Sequence, residues 1–275
     1  MAAEKTDSVI LSLTPYRETS CILRLFTQTH GLLHGVAKGV RKFGKSSIPL
    51  DRGFLIESLV YYKPNRDLHT LGSLHVSNFF PGIRSNITKS IIRDIALELY
   101  LKTIPQSEPH PKLFNLIVDF FTAIDGLPRS EILFPILWRF IHEYCSLAGF
   151  GIDARACGKC GIDIRYNRAD AMSVSDDKYF LNIGSGALVC KKCMPSKNGT
   201  GYKINDTGVN MGIEVDADGL LDGSVVRFMD NIDNDFPQYP SKNDRLRITE
   251  LLLLYCRHHF DIRGRFNSAE FIKSF

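Results

Sequence analysis

Two pairs of cysteines constrain this chain more than any other feature of its sequence. Cys157 and Cys160 are separated by two residues, 29 residues follow, and Cys190 and Cys193 repeat the same spacing. Each such knuckle allows two thiolates to reach one ion, and two knuckles supply the four soft ligands of a closed, tetrahedral Zn²⁺ site. The spacing therefore predicts a small zinc ribbon.

The residues around the knuckles fit this interpretation. Apolar side chains at residues 172–174, 179–183 and 187–189 read as short strands joined by polar turns. Gly158 and Gly161 would relieve the tight turn of the first knuckle. Two disulfides are the alternative, but a disulfide framework suits a short secreted chain, and these 275 residues show no signal peptide. Four thiolates leave no position for water, so the metal is expected to stabilise the fold.

The amino-acid composition limits the classes of protein to which this chain could belong. The apolar fraction of 44% is that of an ordinary globular protein, and no apolar run approaches the roughly 18 residues of a membrane span. Cys21, Cys145 and Cys256 lie in apolar contexts and are expected to be reduced core residues, which favours the cytoplasm. A net charge of +4 does not by itself indicate a nucleic-acid partner. The distribution of the charged residues along the chain is more informative.

Strand patterns fill most of the first 80 residues. They cover residues 8–13, 19–26, 32–40, 54–62 and 68–76. Residues 14–18 read as a turn-like insert between the first two. Five short strands without a helical period predict a small closed barrel, for which an oligonucleotide-binding (OB) fold is the first candidate. An SH3-like barrel would leave the same pattern, so the strand count leaves both folds open.

A basic run follows the third strand and places four cations within eight residues: Lys38, Arg41, Lys42 and Lys45. Phe43 lies inside the run, and Phe54, Tyr61 and Tyr62 belong to the next strand pattern. Cations interleaved with aromatic rings suit single-stranded nucleic acids, whose phosphates need neutralising and whose unpaired bases stack. A solvated loop is the alternative for any short basic run. Beside a barrel, nucleic-acid binding by the four cations and Phe43 is the better interpretation.

Beyond residues 79–82 the hydrophobic period changes from two to 3.6. Apolar stripes predict four helices, near residues 87–104, 111–126, 130–149 and 244–260. The acidic stretch 214–235 lacks the ligand spacing of a calcium loop and is interpreted as a solvated linker. The sequence contains no Walker loop, His-Glu-x-x-His motif or nucleophile elbow, so no catalytic residue is predicted.

Together these patterns predict an α+β multidomain protein. Residues 1–82 would form an OB-fold nucleic-acid-binding domain. Residues 83–150 and 201–275 would form an α-helical domain, and a zinc-binding module with four cysteine ligands, at residues 151–200, would be inserted in it.

Several blocks of the sequence resemble the bacterial RecO family of DNA repair and recombination proteins. They are PYRETS at residues 15–20, LFTQTHGLL at 25–33, GVAKGVRK at 35–42, LGSLHV at 71–76, CGKCG at 157–161 and NSAEFI at 267–272. The likeness covers nearly the whole chain, and the N-terminal blocks are its most specific part.

The resemblance implies a non-enzymatic mediator of recombinational repair, located in the cytoplasm with the nucleoid. It implies binding to single- and double-stranded DNA, annealing of complementary strands, partnership with RecR, and assistance to RecA in displacing single-strand-binding protein. It also implies recognition of the acidic, apolar C-terminal tail of that binding protein. Lys38, Arg41 and Lys42 match the basic run of the family, and the four knuckle cysteines match its zinc ligands.

Two other functions remain open at this point. The first is a zinc-ribbon factor of transcription or translation, in which the barrel binds RNA or a protein. The second is an enzyme whose site forms only through tertiary contacts.

Overall fold

A computed structural model describes residues 3–41, 49–106, 108–128, 132–164, 178–194, 220–229 and 241–274. The chain divides into two compact units, Met1–Leu127 and Pro128–Phe275. In the described parts of both units, no helix has the length and apolar character needed to span a bilayer. The finer domain limits expected at residues 82, 150 and 200 remain predictions.

The first unit begins with a closed barrel of five strands: β1 (Ala3–Tyr16), β2 (Ser20–Thr27), β3 (Gly31–Ala37), β4 (Leu55–Tyr61) and β5 (Leu68–Asn78). Their order is β1-β2-β3-β5-β4, and β1 closes the barrel by pairing with β4. Strands β3 and β5 run parallel, whereas the other neighbours are antiparallel. The expected OB fold, a five-stranded Greek-key barrel, is confirmed.

Alternating side chains build the core of the barrel. On β2, Cys21, Leu23 and Leu25 point inward and are buried, as the period of two predicts. The predicted insert at residues 14–18 was wrong in part, because β1 continues to Tyr16 and remains paired with β2. The chain reverses instead at Arg17, whose φ of 53° is left-handed.

The described part of the first unit also contains three helices: α1 (Pro81–Arg84), α2 (Ile87–Thr103) and α3 (Pro111–Gly126). The Asn86 side chain caps α2 by accepting a hydrogen bond from Lys89 N, and Pro111 begins α3 as predicted. Phe26 joins the outer face of β2 to these helices. Its ring centroid lies 5.3 Å from that of Tyr100 and 6.0 Å from that of Phe114.

The described elements of the second unit are α4 (Leu133–Leu147), β6 (Lys178–Leu181), β7 (Leu188–Cys190), β8 (Leu220–Asp222), α5 (Gly223–Met229), α6 (Lys242–His259) and a final 3-10 helix (Ser268–Ser274). The strands form a sheet of order β7-β6-β8. Helix α4 packs on α5 and α6. Trp138 on α4 donates a hydrogen bond to Thr249 Oγ1 on α6 at 2.9 Å. The expectation that Cys21, Cys145 and Cys256 are buried thiols is confirmed.

The interpretation of residues 214–235 as a solvated linker was wrong for residues 220–229. This segment forms β8 and α5, and Leu221, Val225 and Val226 are buried. The apolar pattern of this segment was not recognised, because it is short and acidic residues flank it on both sides. Its helical part is only seven residues long. Arg139 on α4 fixes α5 by donating from Nε to the Phe228 carbonyl at 2.8 Å. The remaining residues of 214–235 lie outside the described parts.

We expect Phe26→Ala to lower the free energy of unfolding by about 3–5 kcal/mol, the usual cost of emptying a buried aromatic site. Phe26 is fully buried against Tyr100 and Phe114, so the cavity would open between the barrel and its helices. Urea unfolding followed by circular dichroism measures the effect. Ile87→Ala is the control, since Ile87 is 61% exposed and its removal should change stability by less than about 0.5 kcal/mol. Equal midpoints for the two variants would contradict this role of Phe26.

Candidate metal centre and nucleic-acid interface

The first knuckle is a tight turn closed by backbone hydrogen bonds. Cys157 N donates to Ile162 O at 2.9 Å, and Gly161 N donates to Cys157 O at 2.8 Å. Gly161 has a φ of 72°, which favours glycine, so the predicted role of this residue in the turn is confirmed. Gly158 meets a different requirement: a Cβ at this position would lie 2.8 Å from the Cβ of Ala187.

The second knuckle begins where β7 ends and continues through a 3-10 turn, Lys191–Cys193. Strand β7 pairs with β6, and Gly158 N donates to Leu188 O on β7 at 2.8 Å. This backbone contact brings the two knuckles together, although 29 residues separate them in the sequence. Of the predicted strands around them, those near 179–183 and 187–189 are present, and residues 172–174 lie outside the described parts.

The sulfur atoms of Cys157, Cys160, Cys190 and Cys193 all lie within 4.8 Å of one another. The Sγ atoms of Cys160 and Cys190 are 3.7 Å apart, too far for a disulfide bond of about 2.05 Å. A tetrahedron with zinc–sulfur distances of about 2.3 Å has sulfur–sulfur edges of about 3.8 Å. The four side chains therefore fit a single tetrahedral ion, and these residues would hold it.

Backbone donors prepare one of the sulfurs for metal binding. Burial by itself would raise the pKa of Cys157, but hydrogen bonds from the backbone N–H groups of Cys190, Cys160 and Lys159 outweigh it and lower the pKa to about 6. Side-chain hydrogen bonds with Cys160 and Cys190 raise the pKa of Cys193 to about 12, so this thiol needs positive charge nearby in order to ionise. A divalent cation supplies that charge and deprotonates coordinating thiols.

The ribbon is joined to helix α6 within the second unit. Tyr255 Oη donates a hydrogen bond to Phe150 O at 3.0 Å, just ahead of the first knuckle. His259 Nε2 donates to Ile183 O at 2.8 Å, in the segment between the knuckles. A metal bound by the ribbon would therefore stabilise the packing of α6 as well as its own loops.

Strand directions determine which residues of the barrel share an end. Strands β1, β3 and β5 finish at the end where β2 and β4 begin, because β3 and β5 are parallel and their other neighbours are antiparallel. Lys38 and Arg41 follow β3 at this end, and both are exposed. We call it the cationic end, defined by these two residues. Sequence reasoning missed Arg17, which is exposed on the β1–β2 turn at the same end, beside Glu18.

The structure describes only part of the predicted nucleic-acid interface. Lys42, Phe43 and Lys45 lie outside the described residues, so their roles remain predictions. Among residues 49–106, the aromatic side chains proposed to accompany the basic run are arranged differently from the prediction.

Phe54 belongs to the core of the barrel and is only 6% exposed. Tyr62 lies at the opposite end, where its ring stacks between His30 and His69 with centroid distances of 4.5 and 4.8 Å. Neither ring is available to a base beside Lys38, so including them with the basic run was wrong. An alternating strand directs successive side chains to opposite faces, and the sequence alone did not specify which face was covered.

Two family models match this chain, one over its N-terminal part and the other over the part that follows. A model described as the N-terminal domain of recombination protein O matches residues 1–80, and one described as its C-terminal domain matches residues 84–209. The first match coincides with the closed barrel, and the second includes all four knuckle cysteines.

Curated proteins with similar sequences include three bacterial DNA repair proteins RecO. The Geobacter metallireducens protein is 29% identical over 169 residues, which cover 60% of this chain and 66% of the relative. The Syntrophus aciditrophicus protein is 26% identical over 193 residues, 70% of each chain. The Pelobacter propionicus protein is 27% identical over 217 residues, 77% of this chain and 78% of the relative. The aligned chain thus spans about two thirds to three quarters of these proteins.

We expect the purified protein to contain about one zinc ion per chain, because its four clustered thiols complete a tetrahedral site. Cys157→Ser should lose the metal and aggregate, since zinc binding of this kind contributes on the order of 10 kcal/mol of folding free energy. Elemental analysis and light scattering measure the two effects. Cys21→Ala removes a buried thiol from the other unit and should retain the zinc. A stable metal-free wild-type protein would contradict the structural role.

Proposed function

The chain belongs to the RecO family of DNA repair and recombination proteins, and on this premise we propose that it is a recombination mediator that binds DNA through the cationic end of its barrel. It binds single and double strands and anneals complementary strands. The observation that carries this proposal is the exposure of both Lys38 and Arg41 at one end of an OB-fold barrel. Lys42, Phe43 and Lys45 extend the proposed interface along the same connection.

The electrostatic surroundings of the two cations support phosphate binding. In the described part of the chain, no ion pair links Lys38 or Arg41 to a carboxylate. Arg41 N donates to Thr19 O at 2.9 Å, which fixes the backbone while the side chain remains exposed. Cations that are not neutralised by a carboxylate keep their charge available for phosphate oxygens, and they release counterions from DNA when they bind.

Annealing by such a surface requires no acid, base or nucleophile. Two complementary strands repel each other through their phosphates, and a cationic surface that binds both lowers this repulsion and raises their local concentration. Base pairing then supplies the sequence specificity. Phosphate contacts carry no sequence information, so the same surface serves any pair of strands. The four-sulfur centre leaves no coordination position open, and its metal would act on folding alone.

The mediator role also specifies partners. RecR would bind this protein, and together they would help RecA replace single-strand-binding protein on DNA, in the cytoplasm and at the nucleoid. The predicted α-helical domain, residues 83–150 and 201–275, would recognise the acidic, apolar C-terminal tail of the binding protein. Membership of the family supports these proposed partners.

Reversing the charges of the cationic end should abolish annealing without unfolding the chain. We expect Lys38→Glu together with Arg41→Glu to stop the annealing of complementary oligonucleotides, because two phosphate contacts become repulsive. Plots of log affinity against log salt for single strands should have a slope of about −3 if four cations contact phosphate, and roughly half that slope in the double variant. Fluorescence anisotropy across a salt series gives the slope, and strand-pairing of labelled oligonucleotides gives the annealing rate.

The matched control carries Lys5→Glu and Lys112→Glu. Both residues are exposed in the same unit, Lys5 at the start of β1 and Lys112 in the first turn of α3. This variant has the same net charge as the test variant, and it should anneal like the wild type. Equal losses in the two variants would mean that overall charge, rather than the cationic end, binds DNA, and unchanged annealing in the test variant would reject the interface.

Competition between DNA and RNA separates this function from a zinc-ribbon factor of transcription or translation. We expect single-stranded DNA to displace a labelled DNA oligonucleotide at least as well as RNA of the same sequence. The protein should also anneal DNA in the absence of nucleotide. Strong preference for RNA, without DNA annealing, would favour the alternative factor.

A further inference from the structure

Phe79 follows the last strand of the barrel and leaves 51% of its surface exposed. In the described part of the first unit, the large apolar residues that are exposed are Leu68, Phe79 and Ile87, and only Phe79 is aromatic. A single exposed apolar residue is ordinary on a protein surface. Phe79 differs from an ordinary exposed residue in two respects, which are the conformation of its turn and the identity of its neighbours.

The turn is held in a conformation that bulky residues rarely adopt. Phe80 has a φ of 48° and a ψ of 73°, in the left-handed region, and it precedes Pro81, which restricts its backbone further. The side chain of Asn78 stabilises the turn by accepting a hydrogen bond from Phe80 N at 2.8 Å. Phe80 itself is buried, with its ring edge-on to Phe121 at 5.6 Å. Strain of this kind concentrates at functional sites.

The position of Phe79 connects it to the proposed DNA interface. Strand β5 runs parallel to β3, so it also finishes towards the cationic end, but it continues from Leu71, the partner of Ala37, to Asn78 before Phe79 follows. Its ring centroid is 6.3 Å from that of Phe54, the last residue of the connection that begins with Lys38. The guanidinium of Arg84 lies 5.2 Å from the centroid of the Phe54 ring and pairs with Asp51 at 2.8 Å. The exposed ring therefore stands next to Phe54, the last residue of the connection whose first residues belong to the basic run.

We propose that Phe79 is a stacking platform for one unpaired base of single-stranded DNA bound at the cationic end. The proposal rests on the proposed function and specifies its ligand: a nucleobase whose face is open, rather than a phosphate. Stacking requires an accessible π face, which every base offers when it is unpaired. Within a duplex, neighbouring base pairs cover these faces.

This contact would distinguish the two forms of DNA that the cations do not distinguish. Lys38 and Arg41 neutralise phosphates of either form, whereas Phe79 adds affinity only for the single strand. When two strands pair, their bases stack on each other and leave the ring. The product duplex would thus be held less tightly than the separate strands, which favours its release after annealing.

Substitutions at residue 79 test the proposal directly. Phe79→Ala should weaken binding of a single-stranded oligothymidine by about 5- to 150-fold, the usual effect of removing one base–aromatic stack. Binding of a duplex of equal length should not change. Phe79→Leu retains the apolar bulk without a π face and should be as weak as Phe79→Ala, whereas Phe79→Tyr should bind like the wild type. Anisotropy titrations at fixed salt give the affinities.

Ile87→Ala provides the matched control, since Ile87 is an exposed apolar residue of the same unit at the start of α2. It should bind both forms of DNA like the wild type. If Phe79→Leu binds single strands like the wild type, or if Phe79→Ala weakens both forms equally, stacking is excluded. If Phe79→Ala instead changes the self-association of the protein, the ring serves contact between copies, and the proposal is overturned.

A tryptophan at this position gives a direct signal. The chain has one tryptophan, Trp138, which is buried, so Phe79→Trp adds one exposed indole. Its fluorescence should be quenched by single-stranded oligothymidine and not by duplex, after subtraction of the wild-type signal. Absence of quenching in a variant that still binds DNA would reject stacking while leaving the proposed function intact. Absence of any DNA binding by the wild type would reject both.

Discussion

Closure of the N-terminal barrel is the constraint on which the functional surface depends. Strand β1 pairs with both β2 and β4, and β3 runs parallel to β5, so the direction of every strand is fixed relative to its neighbours. The residues that follow β3 and β5 are therefore directed to the same end of the barrel, although about 40 positions separate Lys38 from Phe79 in the sequence. Hydrogen bonding between backbones, rather than any contact between these side chains, assembles the proposed interface.

The second unit is organised by a different kind of interaction. Its described core includes α4 and α6, which meet through the Trp138–Thr249 hydrogen bond. In the ribbon, four sulfur atoms lie within 4.8 Å of one another, and Gly158 approaches Ala187 and β7 closely. A short segment of this kind seldom folds without a crosslink, and coordination of one ion by four thiolates provides it.

Much of this arrangement could be predicted from the sequence. Alternation at period two gave the five strands, and the paired knuckles gave the sulfur cluster. The predictions were wrong where the structure depends on contacts between residues that are far apart in the sequence. Phe54 and Tyr62 are both aromatic strand residues, yet one fills the core and the other stacks between two histidines, because tertiary contacts assign each face. The left-handed backbone of Phe80 has no signal in the sequence, since glycine is the residue expected there.

The meeting of the two knuckles also has a consequence for the length of the chain between them. The Gly158–Leu188 hydrogen bond and the shared ion would close this segment into a loop, and the entropy of loop closure grows only with the logarithm of length, by about 0.6 kcal/mol for each doubling. Insertions between the first knuckle and β6 would therefore change the closure entropy very little. The ribbon can vary in size during evolution while its coordination geometry stays constant.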